Sequence, residues 1–182
     1  MTEEITLVNQ LQNHKTKEKA FRWLINQYKE RLYWHIRKIV ISHDDTDDVL
    51  QNTFIKVYKS IDNFKGESKL FSWMYRIATN EAITFINKRA KENNCELSDM
   101  QFQLASNLNS DHWFDGNDIQ LILQKAIATL PQKQQLVFNM KYFDEMKYEE
   151  ISEVLETSVG ALKASYHHAV KKIEEYIKSN NN

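Results

Sequence analysis

Apolar residues recur along this chain three and four positions apart, the spacing that gathers them on one face of a helix. Phe21, Leu24, Ile25, Tyr28, Leu32, Ile36 and Ile39 mark such a stripe within residues 5–41, with Trp23, Tyr33 and Trp34 expected to add core bulk. A second helix carries Val49 or Leu50, Phe54, Val57, Tyr58 and Ile61, and Asp44, Asp45, Asp47 and Asp48 stand at its start, where carboxylates can cap free backbone N–H groups. Gly66 interrupts the pattern in a short polar loop. Leu70, Trp73, Met74, Ile77, Ala78, Ala82, Phe85 and Ile86 then restart a helix of about five turns. Residues 92–117 have no stable period and are rich in Asn, Ser and Asp, which predicts a linker whose Met100, Phe102, Leu104, Trp113 and Phe114 dock elsewhere. Ile119, Ile122, Leu123, Ala126, Ile127 and Leu130 predict the next helix, and Pro131 opens another bearing Leu136, Val137, Met140 and Phe143.

The last stretch, Tyr148 to Ile177, reads as two helices joined by a tight turn, the form of a helix-turn-helix. Ile151, Val154 and Leu155 line the first, and Glu149 and Glu150 suit the positive end of its dipole. Ser158 caps the second, in which Val159, Leu162, Tyr166, Ala169, Val170, Ile173 and Ile177 share one face. Lys163, Ser165, His167, His168, Lys171 and Lys172 share the other. Such a face can enter a DNA major groove, where lysines neutralise phosphates and short polar groups reach base edges. Periodicity alone fits a solvated amphipathic helix equally well.

Composition narrows the fold class. With 42% hydrophobic residues, three glycines and one proline, the chain has few positions for the turns of a sheet, so an all-α protein of two small domains is expected. The single cysteine, Cys95, lies in a polar stretch without an activating base, and no signal core or membrane span is readable. A cytosolic chain without disulfides follows. No nucleophile and base arrangement, metal-ligand spacing or cofactor motif is present in the sequence, which points away from an enzyme.

Net charge is −1, but it is unevenly placed. Residues 56–91 hold eight Lys/Arg against three acids, and residues 92–118 hold six acids and no Lys or Arg. In the basic segment Phe64, Phe71, Trp73 and Tyr75 are interleaved with Lys65, Lys69 and Arg76, a platform on which unpaired bases could stack. Trp73 also lies on the apolar stripe, so its geometry suits the core as well.

DDTDDVLQNTF, FKGES and WMYRIATN in the first half, with LPQKQQ, YEEIS and SVGALKAS in the second, resemble regions two and four of the sigma-70 family of bacterial RNA polymerase, of the extracytoplasmic-function (ECF) type. The resemblance implies two helical domains: residues 1–91 as region two, 92–117 as an acidic flexible linker toward the polymerase cleft, and 118–182 as region four. It implies that Asp45, Asp48, Gln51, Asn52 and Phe54 lie on or support a helix docked on the clamp of the polymerase's largest subunit, with region four toward the flap. Phe64, Lys65, Gly66, Lys69, Trp73, Arg76 and Asn80 would engage the −10 element and hold a flipped base. Ser158, Ala161, Lys163, Ala164, Ser165, His167, His168 and Lys171 would face the −35 element. An anti-sigma protein is an expected partner, and membrane insertion is not.

Departures from the family pattern fall at six positions. Glu156 stands where the family commonly has Gly at the helix-turn-helix turn, and Lys147 replaces the capping Ser. Ala161, Ala164, Ser165 and His168 replace the family's Thr, Ser, Arg and Arg, so weak, salt-sensitive binding to an isolated −35 duplex is expected. A self-sufficient helix-turn-helix regulator explains residues 148–177 equally well, but leaves the acidic strip and the aromatic-basic block without a purpose.

Overall fold

The structure, a computed structural model, describes residues 2–108 and 118–180. Nine α-helices follow one another among the described residues, with no strand: α1 (Thr2–Gln12), α2 (Lys17–Val40), α3 (His43–Ser60), α4 (Leu70–Glu92), α5 (Leu97–Ser106), α6 (Asp118–Ala128), α7 (Gln132–Phe138), α8 (Tyr148–Leu155) and α9 (Val159–Asn180). None of them is long and apolar enough to cross a membrane.

The predicted stripes form the core of the first module. Leu24, Leu32, Ile36 and Ile39 of α2, Val49, Phe54 and Val57 of α3, and Leu70, Met74, Ala78, Ala82 and Ile86 of α4 are buried together. Two of the aromatics expected there point outward instead, Trp23 at 49% and Trp34 at 47% exposure, because both sit beside the stripe rather than on it. The N-cap of α3 is Ser42, whose Oγ accepts from the Asp45 N–H at 3.5 Å, so Asp44 and Asp45 stand inside the first turn rather than capping it. There their charge complements the helix dipole.

In the second module, Ala126, Ile127, Leu130, Phe138, Ala169 and Ile173 make a smaller core from α6, α7 and α9. The helix opened by Pro131 does not run on unchanged through Phe143. It ends at Phe138 and widens into one π turn, Asn139–Phe143, closed by Asp144 N–H donating to Asn139 O at 3.1 Å. Such single wide turns redirect the residues that follow them.

The two modules pack on each other. Leu136, Val137, Met140, Met146, Ile151, Val154 and Leu162 belong to the same buried cluster as the α2–α3–α4 core. Part of the segment expected as a linker is the helix α5, which buries Met100 and Ala105, and Leu108 just beyond it is buried as well. Ala105 and Leu108 pack with Leu121 and Ala128 of α6, while Phe102 stays exposed. Trp113 and Phe114 lie outside the described residues.

Candidate nucleic-acid interface

On α3, Asp48, Gln51 and Asn52 are exposed, one turn apart on one face, as their spacing requires. Asp45 is half-buried and paired with Arg89 of α4, and Phe54 is buried edge-on against Phe21 with ring centroids 6.3 Å apart. Asp45 and Phe54 therefore support the strip from beneath. Ile55, 47% exposed, extends the strip by one turn with an apolar side chain that sequence reading passed over; its signal was its position three and four residues past Asn52 and Gln51.

The loop ahead of α4 is built by α1. Gln12 Nε2 donates to Ile61 O at 3.0 Å and to Phe64 O at 2.9 Å, and Glu4 Oε1 accepts from the Leu70 N–H at 2.6 Å, capping α4 in place of a side chain at Lys69. Glu4 and Gln12 went unnoticed in the sequence because their partners lie 66 and about 50 residues away. Gly66 lies in the short loop expected there and adopts φ +74°, a left-handed conformation that glycine takes without a side-chain clash. Lys65, Gly66, Lys69 and Asn80 are exposed, and Trp73 and Arg76 are half-buried. Phe64 is buried, its ring 5.1 Å from that of Trp73, so these two aromatics brace the loop and each other. Lys69, Trp73, Arg76 and Asn80 recur at helical spacing along one side of α4.

Region four meets part of that side of α4 through two ion pairs, which leave Lys69 and Asn80 exposed. Lys69 Nζ donates to Glu150 Oε1 at 2.9 Å, and Arg76 Nη1 donates to Glu156 Oε1 at 2.7 Å. The Glu150 hydrogen bond and charge hold the Lys69 ammonium above its ordinary range. Burial pushes the Glu150 carboxyl up, but hydrogen bonds from Lys69 and the Lys147 N–H outweigh it and hold the group below its ordinary range. Glu156 has φ 50° and ψ 43°, so the turn does require a left-handed residue, and a glutamate supplies it. Lys147 cannot cap α8 with its side chain; Glu150 Oε2 instead accepts from its backbone N–H at 3.1 Å.

On α9, Ser158, Ala161, Lys163, Ala164, His167, His168 and Lys171 are exposed and Ser165 is half-buried. Ser158 Oγ accepts from the Ala161 N–H at 3.4 Å, the predicted cap. Leu162, Ala169 and Ile173 hold the opposite face in the core. The exposed face is thus short-chained near the helix start and cationic further along, a shape that fits a groove and a phosphate backbone.

Two family models match separate stretches of the chain. The model described as "Sigma-70 region 2" matches residues 24–92, and "Sigma-70, region 4" matches residues 120–173. The ECF RNA polymerase sigma-E factors of Haemophilus influenzae and Escherichia coli K12 are each 27% identical to this chain over 188 aligned residues, covering 97% of it and 98% and 97% of their own lengths. Among solved structures, CnrH in complex with the cytosolic domain of CnrY superposes with TM-score 0.70 at 19% identity, covering 97% of each chain. The Bartonella quintana sigma factor RpoE, solved with the anti-sigma factor NepR, superposes with TM-score 0.67 at 21% identity, covering 88% of this chain and 98% of that one. These two share the fold. The region two match takes in the α3 strip and the α4 block that a self-sufficient regulator leaves unexplained. With both regions present in order, the chain belongs to the sigma-70 family as a sigma factor of the ECF type.

Proposed function

We propose that this chain binds core RNA polymerase, directs it to promoters through both modules and helps melt the −10 element, itself forming no covalent bond. The observation that carries the reading is the occurrence of region two and region four in one chain of matching length. The strip Asp48, Gln51, Asn52 and Ile55, supported by Asp45 and Phe54, docks on a basic surface of the largest-subunit clamp, where its carboxylates meet opposite charge. Region four reaches the flap, and the linker reaches the active-site cleft.

At the −10 element, Lys65 and Lys69 track phosphates, while the Gly66 turn lets the backbone come close to a base swung out of the stack. Trp73, Arg76 and Asn80 form the adjoining wall, braced by Phe64. Holding an unpaired base offsets a few kcal/mol of lost stacking, so captured bases favour the melted duplex without nucleotide hydrolysis. At the −35 element, α9 lies in the major groove, with Ser158, Ala161, Ala164 and Ser165 toward the bases and Lys163, His167, His168 and Lys171 toward the backbone. The likeness to the RpoE structure solved with the anti-sigma factor NepR supports the same kind of partner here.

The test is reconstitution with bacterial core polymerase on genomic promoter fragments, read by permanganate reactivity of unpaired thymines. Association and promoter opening are expected, with Asp48→Lys losing association. Tight, specific promoter binding by the chain alone, with no association with polymerase, would overturn the reading in favour of a self-sufficient regulator.

A further inference from the structure

We propose that the chain carries its own closed state: α8 of region four lies over the promoter-facing side of α4, its glutamates standing where DNA phosphates would stand, and a buried polar latch from α2 to Asp144 holds it there. The proposal rests on the reading of Lys69 and Arg76 as DNA-facing groups. Glu150 and Glu156 are six residues apart on and beside α8, and their partners Lys69 and Arg76 are seven apart along α4, so the two helices run in the same direction with two matched ion pairs. Phosphate and carboxylate oxygens ask the same of a lysine or an arginine.

The latch lies at the other side of the contact. His35, fully buried on α2, has Nδ1 2.9 Å from Asp144 Oδ2 and Nε2 2.8 Å from Thr79 Oγ1. The Thr79 hydroxyl donates to Tyr75 O at 2.7 Å, so toward His35 it accepts. Asp144 Oδ2 faces the other ring nitrogen, so the ring is held between a carboxylate and a hydroxyl. Lys38 Nζ pairs with Asp144 Oδ1, and Lys38 O accepts from Asn139 Nδ2 at 3.5 Å. Gln101 of α5 completes the seam, donating to Ile39 O at 3.4 Å while its Oε1 accepts from Gln135 Nε2 at 3.1 Å.

Promoter geometry excludes this arrangement from the working complex. The −10 and −35 elements lie about 25 base pairs apart, about 85 Å along the duplex at about 3.4 Å per pair. While α8 is joined to α4 by direct ion pairs, α4 cannot lie at one element with α9, the helix that follows α8, at the other. The seam is mixed: beside the apolar residues the modules share it carries charged and polar groups, whose hydrogen bonds water can replace when the modules part.

The experiment is small-angle scattering on the full chain, without DNA or polymerase, for the wild type, Asp144→Asn, and the double reversal Glu150→Lys with Glu156→Lys, whose positions are at the surface of the contact and do not threaten either core. Both variants are expected to raise the radius of gyration by more than about a tenth over that of a compact body. Adding Lys69→Glu and Arg76→Glu to the reversal should restore compactness. An unchanged radius in both variants would overturn the latch. A fluorescent mixed-sequence single strand of about 20 nucleotides then probes the covered face, and the opened Asp144→Asn chain should bind it roughly fivefold or more tighter than the wild type. Opening without that gain would overturn the covering role. Failure of the DNA-facing reading has its own signature: with polymerase present, Lys69→Ala with Arg76→Ala would leave promoter opening intact.

Discussion

Nδ1 of His35 lies 2.9 Å from Oδ2 of Asp144, joining two residues 109 positions apart and, through them, the two modules of the molecule. Burial raises the Asp144 carboxyl, but the hydrogen bond and charge of His35, followed by those of Lys38, outweigh it and hold the group below its ordinary 3.8. A carboxyl lowered by folding contributes stability that is present above its ordinary value and lost as pH falls through its value in the folded chain. Thermal melting followed from pH 7 downward should therefore show a loss of stability in the acid range that Asp144→Asn flattens. An equal acid loss in that variant would assign the effect elsewhere.

Glu156 is held at φ 50°, in the left-handed region that costs a residue with a side chain about 1–2 kcal/mol. Glu156→Gly should raise the stability of the helix-turn-helix by roughly 0.5–1 kcal/mol after the entropy lost by glycine is counted. It also removes the partner of Arg76, so the same variant should melt higher yet scatter as a less compact chain. A fall in melting temperature would show that the Arg76 contact outweighs the backbone strain.

Leu162 is fully buried in the first turn of α9, in the cluster shared with region two. Leu162→Ala should cost about 2–5 kcal/mol in denaturant unfolding, the usual range for a leucine removed from a packed core. Ala161, one residue earlier, is exposed, so Ala161→Ser should leave stability nearly unchanged. The contrast checks which face of α9 is held in the core.

Lys163 and Lys171 are exposed on the same helix. Each replacement by alanine should lower the affinity of the polymerase holoenzyme for promoter DNA about equally across promoter sequences, and reduce the slope of log affinity against log salt by about one. A change confined to particular promoter sequences would assign that lysine to base reading.

These residues also show how far the sequence could be read. The faces of α3, α4 and α9 were legible because a period of 3.6 sorts core from solvent without knowledge of the partner, and the loop at Gly66 was legible because glycine breaks a helical pattern, whereas the left-handed backbone at Glu156 runs against what its side chain suggests. Trp23 and Trp34 misled because size suggests burial while position on the helix decides it. Helix α5 was hidden in a polar stretch, its buried Met100 and Ala105 too sparse to show a period. The seam itself was invisible: His35 sits within a helix that reads as core, and nothing local announces that Thr79, Gln101, Asn139 and Asp144 will converge on its end.

The helix α5 also acts as a reserve of chain length. Its ten residues advance about 15 Å when coiled and about 34 Å when drawn straight. Unwinding takes Met100 and Ala105 out of their packing, so the added reach is spring-loaded: the farther the modules are pulled apart, the more buried surface must be surrendered for each further ångström.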